Sequence, residues 1–269
     1  MKRLPLAMFV LLTGAAAASA TPYNTPFIDG HVTTESYDWD ADELAVDDPV
    51  DDCRYDWDTD IDDVYVTWDS QGLYIGFSTD GGPGPYGNNL VVFVDTDAQE
   101  GITGTTDFAD YVPCPWHISF STMGVDMIVH GSDTGAWTSI PFVVMNCENP
   151  ANPTPILAFL SFWNPAWRHE EIGISWDGIY ELGTGIVPPG TSIRVVAAVT
   201  GGPGAGAYDA APSTSTGIET DPEVLWDAYT DLDVYFEVVV DGNQDGFPDS
   251  QISPVAMSTW GSIKALFRP

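Results

Sequence analysis

The residues with the clearest chemical potential form a short run of oxygen-bearing side chains near the C-terminal end of the chain. They are Asp241, Asn243, Asp245 and Asp249. Oxygen ligands at nearly alternate positions can surround a hard cation at calcium distances, and Gly246 permits the tight bend that such a loop needs. The match is partial, because Ile252 stands where a bidentate glutamate is expected. The sequence predicts a calcium loop over residues 241–250, with a simple Asp-Gly turn after the final strand as the alternative.

Ten tryptophans are many for a chain of 269 residues, and some of them suit sugar binding. The apolar face of a pyranose stacks on an indole ring, and its hydroxyls need polar partners nearby. Aromatic residues next to polar loop groups, together with two of those polar residues, make up the candidate carbohydrate site, namely Trp116, Trp137, Trp163, Asn164, Trp167 and Arg168. For any single tryptophan, a place in the core is the alternative. Trp68 and Trp176 lie inside strand patterns and are predicted to be core.

Three cysteines allow one disulfide and one free thiol in an exported protein. Cys114 and Cys147 both lie in proline-rich loop sequence and are the preferred pair. The two pairings that involve Cys53 remain open.

The sequence contains no G-x-S-x-G elbow, no H-E-x-x-H helix, no P-loop and no dinucleotide fingerprint. Its four histidines are scattered without metal-ligand spacing. We therefore expect a protein without catalytic activity. A glycoside hydrolase is the enzymatic alternative, because its pair of catalytic carboxyl groups could come from the 40 Asp and Glu residues.

The first 20 residues have the pattern of a secretory signal. A basic start is followed by a short apolar stretch, and Ala18 and Ala20 form a small-x-small cleavage site. A membrane anchor is the competing interpretation, but the apolar stretch is too short to span a bilayer. We expect cleavage after Ala20 and a protein located outside the cell, in a periplasm or at the cell surface, without membrane insertion.

The chain is strongly acidic, with a formal net charge of −33 at pH 7. Such a charge repels nucleic acid and anionic lipid, which excludes both as expected partners. Asp residues outnumber Glu residues three to one, and Asp favours turns and calcium coordination over helices. Solubility alone is the other explanation for this composition.

Short apolar strands separated by turns predict about ten strands in one domain over residues 21–240. After three strands within 64–97, further strands are predicted at 116–122, 125–130, 136–145, 156–163, 167–176, 191–201 and 232–240. The segments 125–130 and 136–145 are expected to form a hairpin. The acidic segment, residues 38–63, contains aromatic residues that we expect to pack on the sandwich. A surface loop is predicted at 201–221, and residues 251–269 form a tail that docks on the domain or serves in export.

Four sequence phrases occur in an order that resembles a known family. They are FIDG (27–30), VYVTWDSQGLYIGF (64–77), NNLVVFVDTD (88–97) and EIGISW (171–176). Together they resemble the family 9 carbohydrate-binding modules and the related DOMON-like domains, over about residues 26–240. The resemblance implies an all-β, two-sheet antiparallel β-sandwich of jelly-roll type. It also implies binding of a polysaccharide or glycan without cleavage, with calcium as a structural ion. The alternative function is an extracellular or envelope structural protein whose sandwich contacts a protein partner at the cell surface.

Overall fold

The structure is a computed structural model, which describes residues 25–26, 28, 32, 39–49, 52–55, 60–80, 89–96, 106–111, 114–132, 143–146, 154–156, 158–164 and 169–249. The predicted signal peptide and the C-terminal tail lie outside these ranges. Within them, the helices are α1 (Trp176–Tyr180) and a 3-10 helix (Ile218–Thr220). Neither of these two helices is long and apolar enough to cross a membrane.

The strands of the described residues are numbered in chain order. They are β1 (Leu44–Asp47), β2 (Asp60–Trp68), β3 (Gly72–Asp80), β4 (Asn89–Asp95), β5 (Thr106–Asp107), β6 (Ile118–Phe120), β7 (Met127–Ser132), β8 (Val143–Asn146), β9 (Thr154–Ile156), β10 (Ala158–Asn164), β11 (His169–Ser175), β12 (Ser192–Thr200), β13 (Ala207–Ala211), β14 (Thr230–Asp231) and β15 (Phe236–Val239).

Two antiparallel sheets form the body of the protein. The first sheet has the strand order β1-β2-β3-β11-β10, and the second has the order β13-β12-β4-β7-β8-β9. Strand β15 also pairs with β12. The predicted hairpin is present, because β7 and β8 pair in antiparallel fashion. The predicted all-β sandwich is confirmed.

The main hydrophobic core lies between these two sheets. In β2, the alternate residues Val64, Val66 and Trp68 point inward, as a strand with one face on the core requires. From the opposite sheet, Val92 and Val94 of β4 enter the same cluster. The predicted core position of Trp68 is confirmed, since it is 2% exposed.

The second sheet is covered on its outer face as well. Val91 and Phe93 of β4 pack there against Phe108 and Phe120. Phe120 belongs to a small third sheet with the order β14-β6-β5, in which β14 and β6 are parallel. Because β4 and β12 are buried on both faces, their sequences are nearly continuous apolar runs rather than alternating ones. This agrees with the buried strand predicted at 191–201.

The acidic segment folds against the outer face of the first sheet, as its aromatic residues predicted. Trp39 is 1% exposed, and its indole N–H donates to Glu171 Oε1 at 2.8 Å. The ring lies so close to Gly76 that a Cβ on that glycine would come within 2.6 Å of it. The same segment supplies β1 and the first residues of β2.

Two predicted features differ from the structure. The predicted surface loop 201–221 contains β13, and all five residues of this strand are buried. Its alanines are small enough to pack closely against neighbouring layers, so little apolar volume was needed to bury them. The strand predicted at 167–176 ends at Ser175, whose hydroxyl accepts the Gly178 N–H at 3.0 Å and caps α1.

Candidate functional site

The predicted calcium loop follows β15 and is folded around two of its own carboxylates. Asp241 is fully buried, and its carboxylate accepts N–H groups from Gly190 at 3.0 Å, Gly246 at 2.9 Å and Asp245 at 3.2 Å. Gly246 has a φ of 83°, a backbone conformation that favours glycine. The Asp241 side chain therefore fixes the path of the loop.

Asp249 closes the other side of this loop. Its Oδ2 accepts the Gly242 N–H at 2.7 Å, and its Oδ1 accepts the side-chain amide of Asn243 at 2.6 Å. The side-chain oxygen of Asn243 in turn accepts the Asp245 N–H at 2.8 Å. The structure thus brings the four predicted calcium ligands into one loop. Their oxygens accept hydrogen bonds within and beside it, as in an Asx-type turn.

Of the six residues predicted to bind carbohydrate, one is buried, two belong to a strand and three lie outside the described structure. Trp116 is fully buried, stacks on Tyr111 with ring centroids 5.1 Å apart, and donates its indole N–H to the Gly201 carbonyl. The prediction that Trp116 binds sugar is wrong, because the ring has no face open to a ligand. The backbone of Trp163 and Asn164 belongs to β10. The side chains of these two residues, and the whole of Trp137, Trp167 and Arg168, lie outside the described structure.

The predicted disulfide between Cys114 and Cys147 is also wrong. Cys114 is a free, half-buried thiol that packs against the cluster on the outer face of the second sheet. Burial raises the pKa of this thiol to about 11, so it stays protonated at neutral pH. Cys147 itself lies outside the described residues.

An exposed aromatic surface lies where the loop before β14 meets the start of β6. Leu225, Trp226 and Tyr229 are 71%, 50% and 45% exposed. The Tyr229 ring stacks on the imidazole of His117, with centroids 5.3 Å apart and an interplanar angle of 15°. These four side chains are called the aromatic surface. Leu225, Trp226 and Tyr229 are exposed, and His117 is half-buried.

Polar groups adjoin these rings. The Tyr229 hydroxyl donates to the carboxylate of Asp107, which is exposed. The Nδ1 atom of His117 is hydrogen-bonded to the backbone carbonyl of Asp227 at 2.7 Å, and Asp227 is also exposed. The Tyr229 ring therefore lies beside the carboxylate of Asp107, and an aromatic face next to a polar group is the combination that recognises a sugar through its C–H face and its hydroxyls.

Hydrogen bonds to the backbone carbonyls of this loop fix it on the sandwich. Arg54 is 1% exposed, and its guanidinium donates to the carbonyls of Ile218 at 2.7 Å and Leu225 at 3.2 Å. Gly206 donates its N–H to the Trp226 carbonyl at 3.1 Å. The aromatic surface is thus presented by a loop whose main chain is tied to the protein interior.

Trp226 and Tyr229 were not among the binding residues predicted from the sequence. They follow a stretch rich in Gly, Pro, Ser and Thr, and neither lies in a strand pattern. The signal that was present is the phrase LWDAY at 225–229, in which bulky apolar residues occur in an acidic loop without alternation. Apolar residues in such a setting either pack inward or form a contact surface.

The chain matches no protein-family model, and no curated protein matches it in sequence. The resemblance to family 9 carbohydrate-binding modules and DOMON-like domains therefore stays a prediction.

Proposed function

We propose that this chain is a secreted, non-catalytic, carbohydrate-binding β-sandwich. The observation that carries the proposal is the aromatic surface, on which Trp226 and Tyr229 of one loop are both exposed and the Tyr229 hydroxyl donates to the carboxylate of Asp107. Aromatic rings on a fixed loop supply stacking area with little loss of conformational entropy on binding. The carboxylates accept hydrogen bonds from sugar hydroxyls.

The charge of the protein narrows the class of glycan. A net charge of −33 repels polyanions such as sulfated or uronic-acid polysaccharides. A neutral or amine-bearing polysaccharide is therefore the expected ligand. Calcium is proposed as a structural ion in the loop 241–250, held by the side chains of Asp241, Asn243, Asp245 and Asp249.

Retention on insoluble neutral polysaccharides tests this function, with Trp226→Ala as the informative variant. We expect Trp226→Ala to weaken binding by about 10-fold or more, because one stacked aromatic contact contributes ~1–2 kcal/mol. Unfolding temperatures of both proteins show whether the fold is intact. Since the Trp226 ring is half exposed, we expect its removal to leave the fold unchanged.

Phe247→Ala is the matched control, because Phe247 is a 55% exposed aromatic residue on a different loop. It should bind polysaccharide like the wild type. Equal binding by Trp226→Ala and the wild type would contradict the aromatic surface as the sugar site. Trp167→Ala in the same assay tests the candidate named from the sequence. Release of reducing ends from the polysaccharide would instead indicate a glycoside hydrolase.

A second candidate function is contact with a protein partner at the cell surface or in the envelope. The observation that favours it is Leu225, an apolar side chain that is 71% exposed on the same loop as Trp226 and Tyr229. Exposed apolar and aromatic residues together are typical of protein interfaces as well as of sugar sites. A folded wild-type protein that is retained on no polysaccharide would favour this second function.

A further inference from the structure

Three carboxylates from distant parts of the sequence meet at the edge of the second sheet. Asp48 follows β1 directly, Asp52 lies four residues later, and Asp209 is the central residue of β13. One carboxylate oxygen of each lies within 4.8 Å of those of the other two. Asp48 is 3% exposed and Asp209 is fully buried, whereas Asp52 is half-buried. Within the described ranges, no other set of three such side chains has its ligand atoms this close.

Two of these carboxylates have a buried oxygen that lacks a hydrogen-bond partner. They are Asp48, at Oδ2, and Asp52, at Oδ1. Asp209 is different, because its Oδ2 accepts the Ile61 N–H at 2.6 Å and its Oδ1 accepts the Ala210 N–H at 2.8 Å. A buried charged oxygen without a donor is costly. The fold thus orients one carboxylate firmly and leaves two others without the donors that their burial requires.

The charge of this cluster is not balanced by ion pairs. The carboxylates of Asp60 and Glu219 also lie close enough to repel this cluster. In the described part of the chain, the ion pairs are those of Arg194 with Asp95 and Glu237. Arg54, the base nearest in sequence, directs both terminal guanidinium nitrogens to backbone carbonyls instead.

We propose that Asp48, Asp52 and Asp209 form a calcium site, separate from the loop 241–250, that fastens the acidic segment to β13. The donors are all oxygen, which suits a hard cation rather than zinc. Calcium–oxygen distances of 2.3–2.6 Å allow two ligands of one ion to lie up to about 5 Å apart, which matches the observed cluster. Magnesium is usually held by one or two carboxylates and keeps most of its water, so three protein carboxylates favour calcium.

Such an ion would connect two parts of the chain that already touch. The Arg54 N–H donates to the Tyr208 carbonyl at 2.8 Å, which places residues 52–55 alongside β13. Asp48 and Asp52 reach the cluster from the acidic segment, and Asp209 reaches it from the second sheet. The ion would stabilise the acidic segment, a role that is separate from the proposed sugar binding.

Thermal unfolding in chelator and in calcium tests the site, with Asp48→Asn as the first variant. At free calcium about 100-fold above its Kd, we expect the wild-type Tm to rise by about 5–10 °C. Asp48→Asn should lose the share of this rise that comes from its own site, while the share that comes from the loop 241–250 should remain. In chelator the same variant should be at least as stable as the wild type, because it removes a buried carboxyl group whose Oδ2 has no hydrogen-bond partner. Asp47→Asn is the matched control, since Asp47 is the exposed neighbour and should keep the full calcium response.

Calorimetric titration with calcium separates this site from the loop 241–250. Asp48→Asn and Asp245→Asn should each lose one bound ion, and the double variant should lose both. Asp52→Asn replaces Asp48→Asn if the latter does not fold. A full wild-type stoichiometry in both Asp48→Asn and Asp52→Asn would overturn the proposal. An equal response to magnesium would overturn the assignment to calcium. Neither result depends on sugar binding.

Discussion

A single buried carboxyl group, that of Glu170, should influence how the stability of the sandwich depends on pH. Glu170 is 1% exposed, and neither of its side-chain oxygens has a hydrogen-bond partner. Because it alternates with Ile172 and Ile174 along β11, its side chain points toward the core between the sheets. Burial raises the pKa of this carboxyl well above its usual range, so the folded protein holds the group in its neutral form.

Glu170→Gln should therefore stabilise the protein at neutral pH and much less at acidic pH. At a pH below the ordinary pKa of Glu, the carboxyl group is protonated in both the folded and the unfolded protein. Its ionisation then has no effect on the free energy of unfolding. As the pH rises above that value, the unfolded chain ionises while the folded chain keeps its proton, so the wild type loses stability. The loss approaches about 1.4 kcal/mol per pH unit until the folded-state pKa is reached. Urea unfolding of the wild type and the variant at pH 4 and pH 8 measures the difference.

Glu223→Gln is the control for this prediction, because Glu223 is exposed. Its effect on the free energy of unfolding should be small and nearly independent of pH. A stability difference between Glu170→Gln and the wild type that is the same at pH 4 and pH 8 would contradict a protonated Glu170.

The contrast between Trp116 and Trp226 shows the limit of sequence reasoning for single residues. Both are tryptophans next to polar groups in the sequence, yet one is fully buried and the other is half exposed. Trp116 is buried because the small third sheet covers the second sheet at that point. This covering layer is made of short strands at 106–107, 118–120 and 230–231, and of these three only the one at 118–120 falls within a strand predicted from the sequence. Which tryptophan is exposed could therefore not be predicted from the sequence, although at least some exposed aromatic residues were expected.

Among the elements, the loop that carries the aromatic surface depends on one glycine. A Cβ on Gly206 would overlap the Ala228 carbonyl and lie 2.7 Å from Thr230 Oγ1. Because one of these atoms belongs to the backbone, the overlap cannot be relieved by a change of rotamer. The close approach of the loop to the start of β13 thus requires a residue without a side chain at this position.

Gly206→Ala should push the loop away and lower the free energy of unfolding by about 1–3 kcal/mol, as overpacked sites do. It should also weaken polysaccharide binding, because Trp226 is displaced with the loop. Chemical denaturation and the retention assay measure the two effects.

The nearby Gly202→Ala is the matched control, since a Cβ on Gly202 would meet no heavy atom within 4 Å. Its stability should stay within about 0.5 kcal/mol of the wild type, as for most surface substitutions. If Gly206→Ala behaved like Gly202→Ala, the close packing of the loop would be contradicted.

Most of the large strands were predictable, because period-2 patterns and long apolar runs determine them locally. The strands β2, β3, β4 and β12 fall where these patterns predicted. Strand β13 did not, because alanines at 207, 210 and 211 give no hydrophobic signal of their own. Their burial depends on the layers that come to lie on either side. The cluster of Asp48, Asp52 and Asp209 was hidden for the same reason, since it exists only once β13 pairs with β12.

For the whole molecule, the dominant property is uncompensated negative charge. The formal net charge is −33, and the ion pairs among the described residues involve a single base, Arg194. Like charges confined to a folded domain repel one another more strongly than in an expanded chain. The compact state is thus destabilised by its own charge.

Monovalent salt should relieve this repulsion. In chelator at pH 7, raising sodium chloride from about 0.01 M to about 1 M shortens the Debye length from ~30 Å to ~3 Å and should raise the Tm. Differential scanning calorimetry measures the rise. At pH 4, where many carboxyls are neutral, the salt effect should be smaller. A Tm that falls with salt at pH 7 would show that self-repulsion does not limit stability.

The Arg54 guanidinium connects the acidic cluster of Asp48, Asp52 and Asp209 to the loop that carries the aromatic surface, and this connection has a thermodynamic consequence. Residues 52–55 contribute Asp52 to the acidic cluster, and through Arg54 they hold the carbonyls of Ile218 and Leu225. Equilibrium linkage is reciprocal, so any factor by which an ion at one end tightens ligand binding at the other must apply in reverse. For the proposed calcium ion and the proposed glycan, the affinity of either one would therefore report on the binding of the other, and their coupling could be measured with whichever ligand is easier to titrate.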